Sequence, residues 1–250
     1  MPKLKNKALN GIISALFVIA LVLLIITFSI GLPIYFRPFY YIQIESFDIK
    51  DTVMLYSDYY RLGFEESDIT KESIKNAYDE VLDYLTLGKE FGTGIFKYSE
   101  DGKSHFVDCK VLFDLNAVVF IISIILVTAI LILAKANVIK LSKPFGFNMF
   151  FFAGAITLTV FAIVGAVAAL DFDAAFTVFH KILFPGKSNW YFDPRFDQVI
   201  LILPEEFFMA CAILILTSII LLTSLSIIYG VIDRRKNKFT KSHNSDIQAI

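Results

Sequence analysis

Four long stretches of this chain contain no charged side chain, and they limit what it can fold into more than any other feature. They lie between Lys7 and Arg37 (29 residues), Asp114 and Lys135 (20), Lys143 and Asp171 (27), and Glu206 and Asp233 (26). Each has a continuous apolar centre: Ile12–Ile30, Leu115–Ala134, Met149–Leu170 and Phe207–Tyr229. A helix needs about 20 apolar residues to cross about 30 Å of hydrocarbon. Four such runs in 250 residues have no soluble core large enough to hide them. The sequence therefore predicts transmembrane helices at 8–36, 115–134, 148–170 and 207–230. The first run is longer than the roughly 7–15 apolar residues of a signal peptide and lacks an A-x-A-like site after it, so it reads as a retained helix.

The net charge of −1 conceals a division between the segments. The N-terminal tail (Lys3, Lys5, Lys7), the 135–147 loop (Lys135, Lys140, Lys143) and the 231–250 tail (Arg234, Arg235, Lys236, Lys238, Lys241) hold 11 basic residues and two acidic ones, Asp233 and Asp246. Segments 37–114 and 171–206 hold 12 basic and 22 acidic residues. Lys and Arg in short loops mark the cytoplasmic side, so both termini are expected inside and the two longer segments outside. The tail after Arg234 is polar and reads as disordered. A near-neutral chain offers no electrostatic support for a nucleic-acid partner. Its two cysteines, Cys109 and Cys211, rule out a disulfide scaffold.

The outer segments read as a small cap. Tyr40–Glu45 alternates apolar and polar and predicts a short strand. Ile74, Ala77, Tyr78, Val81, Leu82 and Leu85 follow helical spacing, with Thr70 as N-cap, Glu72 in the first turn and Gly88 as the stop. Ile95–Ser99 and His105–Leu112 flank Asp101-Gly102, a hairpin turn signal. The expected fold is thus an α-helical membrane protein: a four-transmembrane-helix bundle with a small mixed α/β extracellular cap. Aromatic residues crowd the outer boundary and suit an interfacial belt. Trp190 and Tyr191 lie in mid-loop and suit a partly dry aromatic chamber instead.

Of the three histidines, His243 lies in the tail, while His105 and His180 each lie about nine residues from an outer membrane boundary. Two converging imidazoles could move protons near neutral pH; unconnected, they are surface residues. His105, His180, Asp108, Asp171 and Asp173 could together ligate a metal, but H-x-x-x-H and C-x-x-C spacings are missing. Asp108 shares a face with His105 only if the segment is helical. No G-x-S-x-G is present, so Ser104 or Ser188 would be a nucleophile only beside a histidine. Cys109 has no neighbour in sequence that would clearly lower its pKa, and a Cys109–Cys211 bridge is sterically conceivable. There is no Gly-rich phosphate loop.

Two outer stretches resemble a known family. One is Tyr98-Ser99-Glu100, then Ser104-His105-Phe106-Val107-Asp108-Cys109-Lys110-Val111-Leu112-Phe113. The other is Phe179-His180, Phe184, Trp190, Asp193-Pro194, Asp197 and Leu203-Pro204-Glu205, followed by Phe207-Phe208. With four spans, they resemble the lipoprotein intramolecular transacylase family of Gram-positive bacteria. The family pattern usually has Met and Val where this chain has Phe106 and Cys109. The resemblance implies four membrane helices under an extracellular cap in the plasma membrane, acting on a diacylglyceryl-modified lipoprotein. The sn-2 acyl chain moves to the α-amino group of the lipidated cysteine, giving the lyso form. It implies two catalytic histidines, His105 and His180, with no metal and no other cofactor; which is base and which is acid stays open. Asp108, Lys110, Trp190 and Tyr191 are candidate orienting or lining residues for substrate. The partners implied are bacterial lipoproteins and membrane lipid. Two other readings compete: a non-catalytic membrane accessory protein that binds lipid or protein, and a metal-dependent hydrolase at the outer leaflet.

Overall fold

A computed structural model describes residues 7–248, with side chains described for 7–239. All regular structure among the described residues is helical: α1 (Lys7–Tyr35), α2 (Pro38–Ser46), α3 (Ile49–Tyr60), α4 (Lys71–Leu87), α5 (Glu100–Lys135), α6 (Met149–Leu170), α7 (Phe172–Leu183) and α8 (Glu205–Gln248). Short 3₁₀ turns occur at Pro144–Gly146 and Gln198–Leu201. Helices α1, α5, α6 and α8 are long and apolar enough to cross a membrane. In α5 the spanning part is the charge-free run 115–134. The preceding turns, 100–114, carry six charged residues and lie outside it.

The chain divides into two compact units. The first comprises the described parts of Met1–Ser29, Val118–Ala166 and Leu216–Ile250. Small residues let its helices approach closely, as membrane helices without a hydrophobic drive between them require. A Cβ on Gly154 would sit 2.8 Å from the Thr223 carbonyl oxygen, and one on Gly230 would sit 2.5 Å from Phe151 Cβ. Ser29 Oγ meets Ser218 Oγ at 3.0 Å between α1 and α8. Helix α8 runs on to Gln248, where the sequence suggested disorder. The Arg234–Lys238 stretch is rich in good helix formers and simply propagates an already nucleated helix.

The second unit is Ile30–Ala117 with Val167–Ile215. Its core gathers α2, α3, α4, the first turns of α5 and the 199–207 segment. Helix α4 is as expected: Thr70 and Ser73 form a capping box, Gly88 ends the helix at φ +70°, and Ile74, Ala77, Tyr78, Val81, Leu82 and Leu85 are buried. Tyr40 stacks on Tyr78 with ring centroids 3.7 Å apart and donates its hydroxyl proton to the Ile202 carbonyl at 2.6 Å.

The mixed α/β cap is not found, because the described residues contain no strand. Tyr40–Glu45 lies in α2, where Pro38 presets the first turn and the buried residues are Tyr40, Gln43 and Ile44, a spacing of three and four. The apparent alternation came from reading six residues too short to separate the two periods. The Asp101-Gly102 pair is not a hairpin turn but the first turn of α5.

Candidate active site

Two histidines meet in the second unit because two helix ends are fixed precisely. Ser99 immediately precedes α5, and its Oγ accepts from the Gly102 N–H at 2.9 Å. The buried Asp197 carboxylate accepts from the Ser99 N–H at 2.8 Å and from its hydroxyl at 2.9 Å, which suits the positive end of a helix. A Cβ at Gly102 would lie only 2.0 Å from Asp197 Oδ1. Gln198 completes the brace, donating its N–H to the Lys97 carbonyl and accepting the Lys97 N–H on Oε1, both at 2.9 Å. His105 then projects from the second turn of α5. Helix α7 is N-capped by Asp171, whose Oδ1 accepts from the Ala174 N–H at 2.9 Å, and carries His180 in its last turn.

Both imidazoles are 7% exposed. Their ring centroids are 5.9 Å apart, inclined at 34°. The walls are aromatic. Phe184 and Phe192 face His105 edge-on at 4.9 and 5.5 Å. Trp190 and Phe176 lie over His180 at 4.8 and 4.2 Å.

The hydrogen bonds distinguish the two rings. His180 Nδ1 is 2.8 Å from the Phe176 carbonyl oxygen. A carbonyl can only accept, so Nδ1 carries the proton and, in the neutral ring, Nε2 is left with its lone pair. His105 is arranged the other way. Its Nε2 contacts Cys109 Sγ at 3.3 Å, while its Nδ1 is buried with no hydrogen-bond partner among the described residues. Burial lowers the His105 pKa to about 4, helped by the neighbouring His180 and opposed by Asp108. Burial also lowers that of His180, against its bond to Phe176. Both rings are therefore neutral near pH 7. Burial pushes the Cys109 thiol up to about 12, so it is protonated and not a ready nucleophile.

Because the segment is helical, Asp108 shares a face with His105. Its carboxylate accepts from Lys187 Nζ and from Asn189 Nδ2 at 3.0 Å, and these bonds hold its pKa below the usual carboxylate range. Asn189 Nδ2 also reaches Ser104 Oγ at 3.3 Å. Trp190 Nε1 donates to the Lys187 carbonyl at 3.0 Å. Asp108 thus fastens the loop that carries Trp190 onto α5. Lys110 instead pairs with Asp114 at 3.1 Å along its own helix. Tyr191 is 81% exposed, its ring against Trp190 at 5.6 Å. Lys187 and Asn189 were missed in sequence: a Lys and an Asn in a polar loop carry no signal beyond their nearness to Trp190. Cys109 and Cys211 are free thiols. Among the described residues no group of three or more His, Cys, Asp or Glu is placed to hold a metal; Asp108 faces Lys187 and Asn189 instead, and Asp171 caps α7.

A family model for the lipoprotein intramolecular transacylase Lit matches residues 15–208. An in meso structure of the membrane-integral lipoprotein intramolecular transacylase Lit from Bacillus cereus superposes with a TM-score of 0.77 at 24% identity, covering 94% of this chain and all of that one (100%). Structures of the same Bacillus cereus protein with one histidine replaced by arginine or by alanine give TM-scores of 0.70 and 0.69 at 24% and 25% identity. They cover 93% and 92% of this chain, and 95% and 96% of theirs. No match was found among curated protein sequences.

Proposed function

The chain belongs to the lipoprotein intramolecular transacylase Lit family, and on that premise we propose that His105 and His180 move an acyl chain within one diacylglyceryl-modified lipoprotein. The family makes it a membrane-integral acyltransferase with a lipoprotein substrate. The observation that carries the proposal is the pair of neutral, buried imidazoles with complementary free nitrogens.

An amine attacks an ester only when it is neutral, and a free α-amino group has a pKa of about 7.7–8.0. His180 Nε2 takes the proton that the amine of the lipidated cysteine loses as its nitrogen bonds to the sn-2 ester carbonyl carbon. His105, whose Nδ1 makes no hydrogen bond among the described residues, donates from that nitrogen to the carbonyl oxygen as negative charge develops there. The bond from the carbonyl carbon to the glyceryl oxygen then breaks, and the protonated His180 returns its proton to that oxygen. One amide and one hydroxyl replace one amine and one ester, so the product is an isomer of the substrate. Donor and acceptor belong to one molecule, so much of the rate comes from positioning. The walls of Phe184, Phe192, Phe176 and Trp190 exclude the water that would hydrolyse the ester.

The site belongs at the bilayer interface, on the extracellular side, with both termini cytoplasmic. Helix α7 supports this placement. It follows α6 after Asp171 alone, buries His180, and exposes Val178 (53%), Phe179 (54%) and Ile182 (70%) on its other side. An apolar outer face beside the end of a span suits a helix lying in the interface. Membrane lipid is then the neighbour that covers it, and the charge division between segments sets the side.

Expression in a host that lacks lipoprotein N-acylation tests the activity. The intact mass of a reporter lipoprotein stays unchanged, and its N-terminal fragment ions gain an amide-linked acyl chain. Fragments that keep a free amine would overturn the assignment.

A further inference from the structure

We propose that Cys109 is a positioning residue: its thiol donates to His105 Nε2 and holds that imidazole in the tautomer protonated on Nδ1. This deepens the reading of His105 as the donor to the ester carbonyl, and rests on it for its catalytic meaning.

Cys109 lies four residues after His105 on α5, so the two side chains are neighbours on one helix face. Sγ and Nε2 are 3.3 Å apart. A neutral imidazole has one donor and one acceptor nitrogen, and the bond made by one nitrogen decides the state of the other. A thiol donates weakly and accepts weakly, whereas an unprotonated ring nitrogen is a good acceptor. The better pairing is therefore S–H to Nε2, which leaves the proton on Nδ1. Burial keeps the thiol protonated, so the donor is present throughout the physiological range. Nδ1 is buried and makes no hydrogen bond among the described residues. The protein thus leaves unused the one N–H that the tautomer creates, with the second imidazole 5.9 Å away between ring centroids to serve as base. The phenyl rings of Phe184 and Phe192 pack at steep angles against His105 and have no lone pair to compete with substrate for Nδ1–H.

The tautomer can be read without turnover. Nitrogen-15 NMR of the histidine-labelled full chain in lipid nanodiscs has three side chains to resolve, His105, His180 and His243, assignable by single substitutions. The substrate-free protein should show His105 protonated on Nδ1. Cys109→Val should shift it toward Nε2 protonation and lower kcat about 3- to 10-fold, the worth of one modest hydrogen bond, with KM unchanged. Cys109→Ser, which keeps a donor, should restore both the tautomer and kcat. His105 protonated on Nε2 in the unsubstituted chain would overturn the proposal. So would a Cys109→Val protein with unaltered tautomer and unaltered kcat, or an acyl chain found on Cys109 itself. Because the tautomer is measured without substrate, it stands or falls separately from the transacylase reading, which is judged by the amide product.

Discussion

In the proposed reaction the two histidines take different parts because each has committed a different ring nitrogen to the protein. His180 uses Nδ1 on a carbonyl of its own helix; His105 uses Nε2 on Cys109. Both are held neutral by burial, and this has a consequence for stability. The unfolded His105 titrates near 6.5 and the folded one near 4, so the unfolded state binds more protons between those values. The contribution of the neutral ring is complete above about pH 6.5 and is lost as the pH falls toward about 4. The melting temperature in detergent should therefore fall over this window, and His105→Phe should show a shallower fall. An equally steep fall in the variant would remove His105 as a cause. The sequence located this pair by its place outside the charge-free runs. Which nitrogen each ring keeps free was not legible, because that depends on helix phase and on the residue four positions away.

At the scale of elements, the cap was read correctly where capping and helical spacing agreed, as in α4. It was misread where a short segment permitted both periods, as in α2. The start of α5 is the instructive case. Asp-Gly is a strong hairpin signal, yet Ser99, Glu100 and Asp101 also spell a helix N-terminus. The contact that decides between them, Asp197 on Ser99, joins residues 98 positions apart. Gly102 is required there by close approach, since a Cβ would meet the Asp197 carboxylate at 2.0 Å. Gly102→Ala should displace Asp197 and cost about 1–2 kcal/mol, the worth of a lost cap. Thermal unfolding should show this as a Tm lower by several degrees, with N-acyl product reduced because His105 sits one turn further along. An unchanged Tm would mean that Asp197 does not brace this helix.

At the scale of the whole molecule, the four charge-free runs account for α1, α5, α6 and α8, and the family match accounts for the activity. The proposed interfacial position of the site can be tested through the single tryptophan, Trp190, whose ring lies 4.8 Å from that of His180. In vesicles, lipids brominated high on the acyl chain should quench its fluorescence more strongly than lipids brominated near the bilayer centre. No quenching at either depth would place the site away from the membrane. The proposed transfer by the His105–His180 pair is read from the fragment spectrum of a reporter lipoprotein exposed to purified, folded His105→Ala and His180→Ala proteins reconstituted in vesicles. Each substitution is expected to lower the amide-linked product by about 100-fold or more. Normal product from His180→Ala, with the variant otherwise intact, would contradict the account.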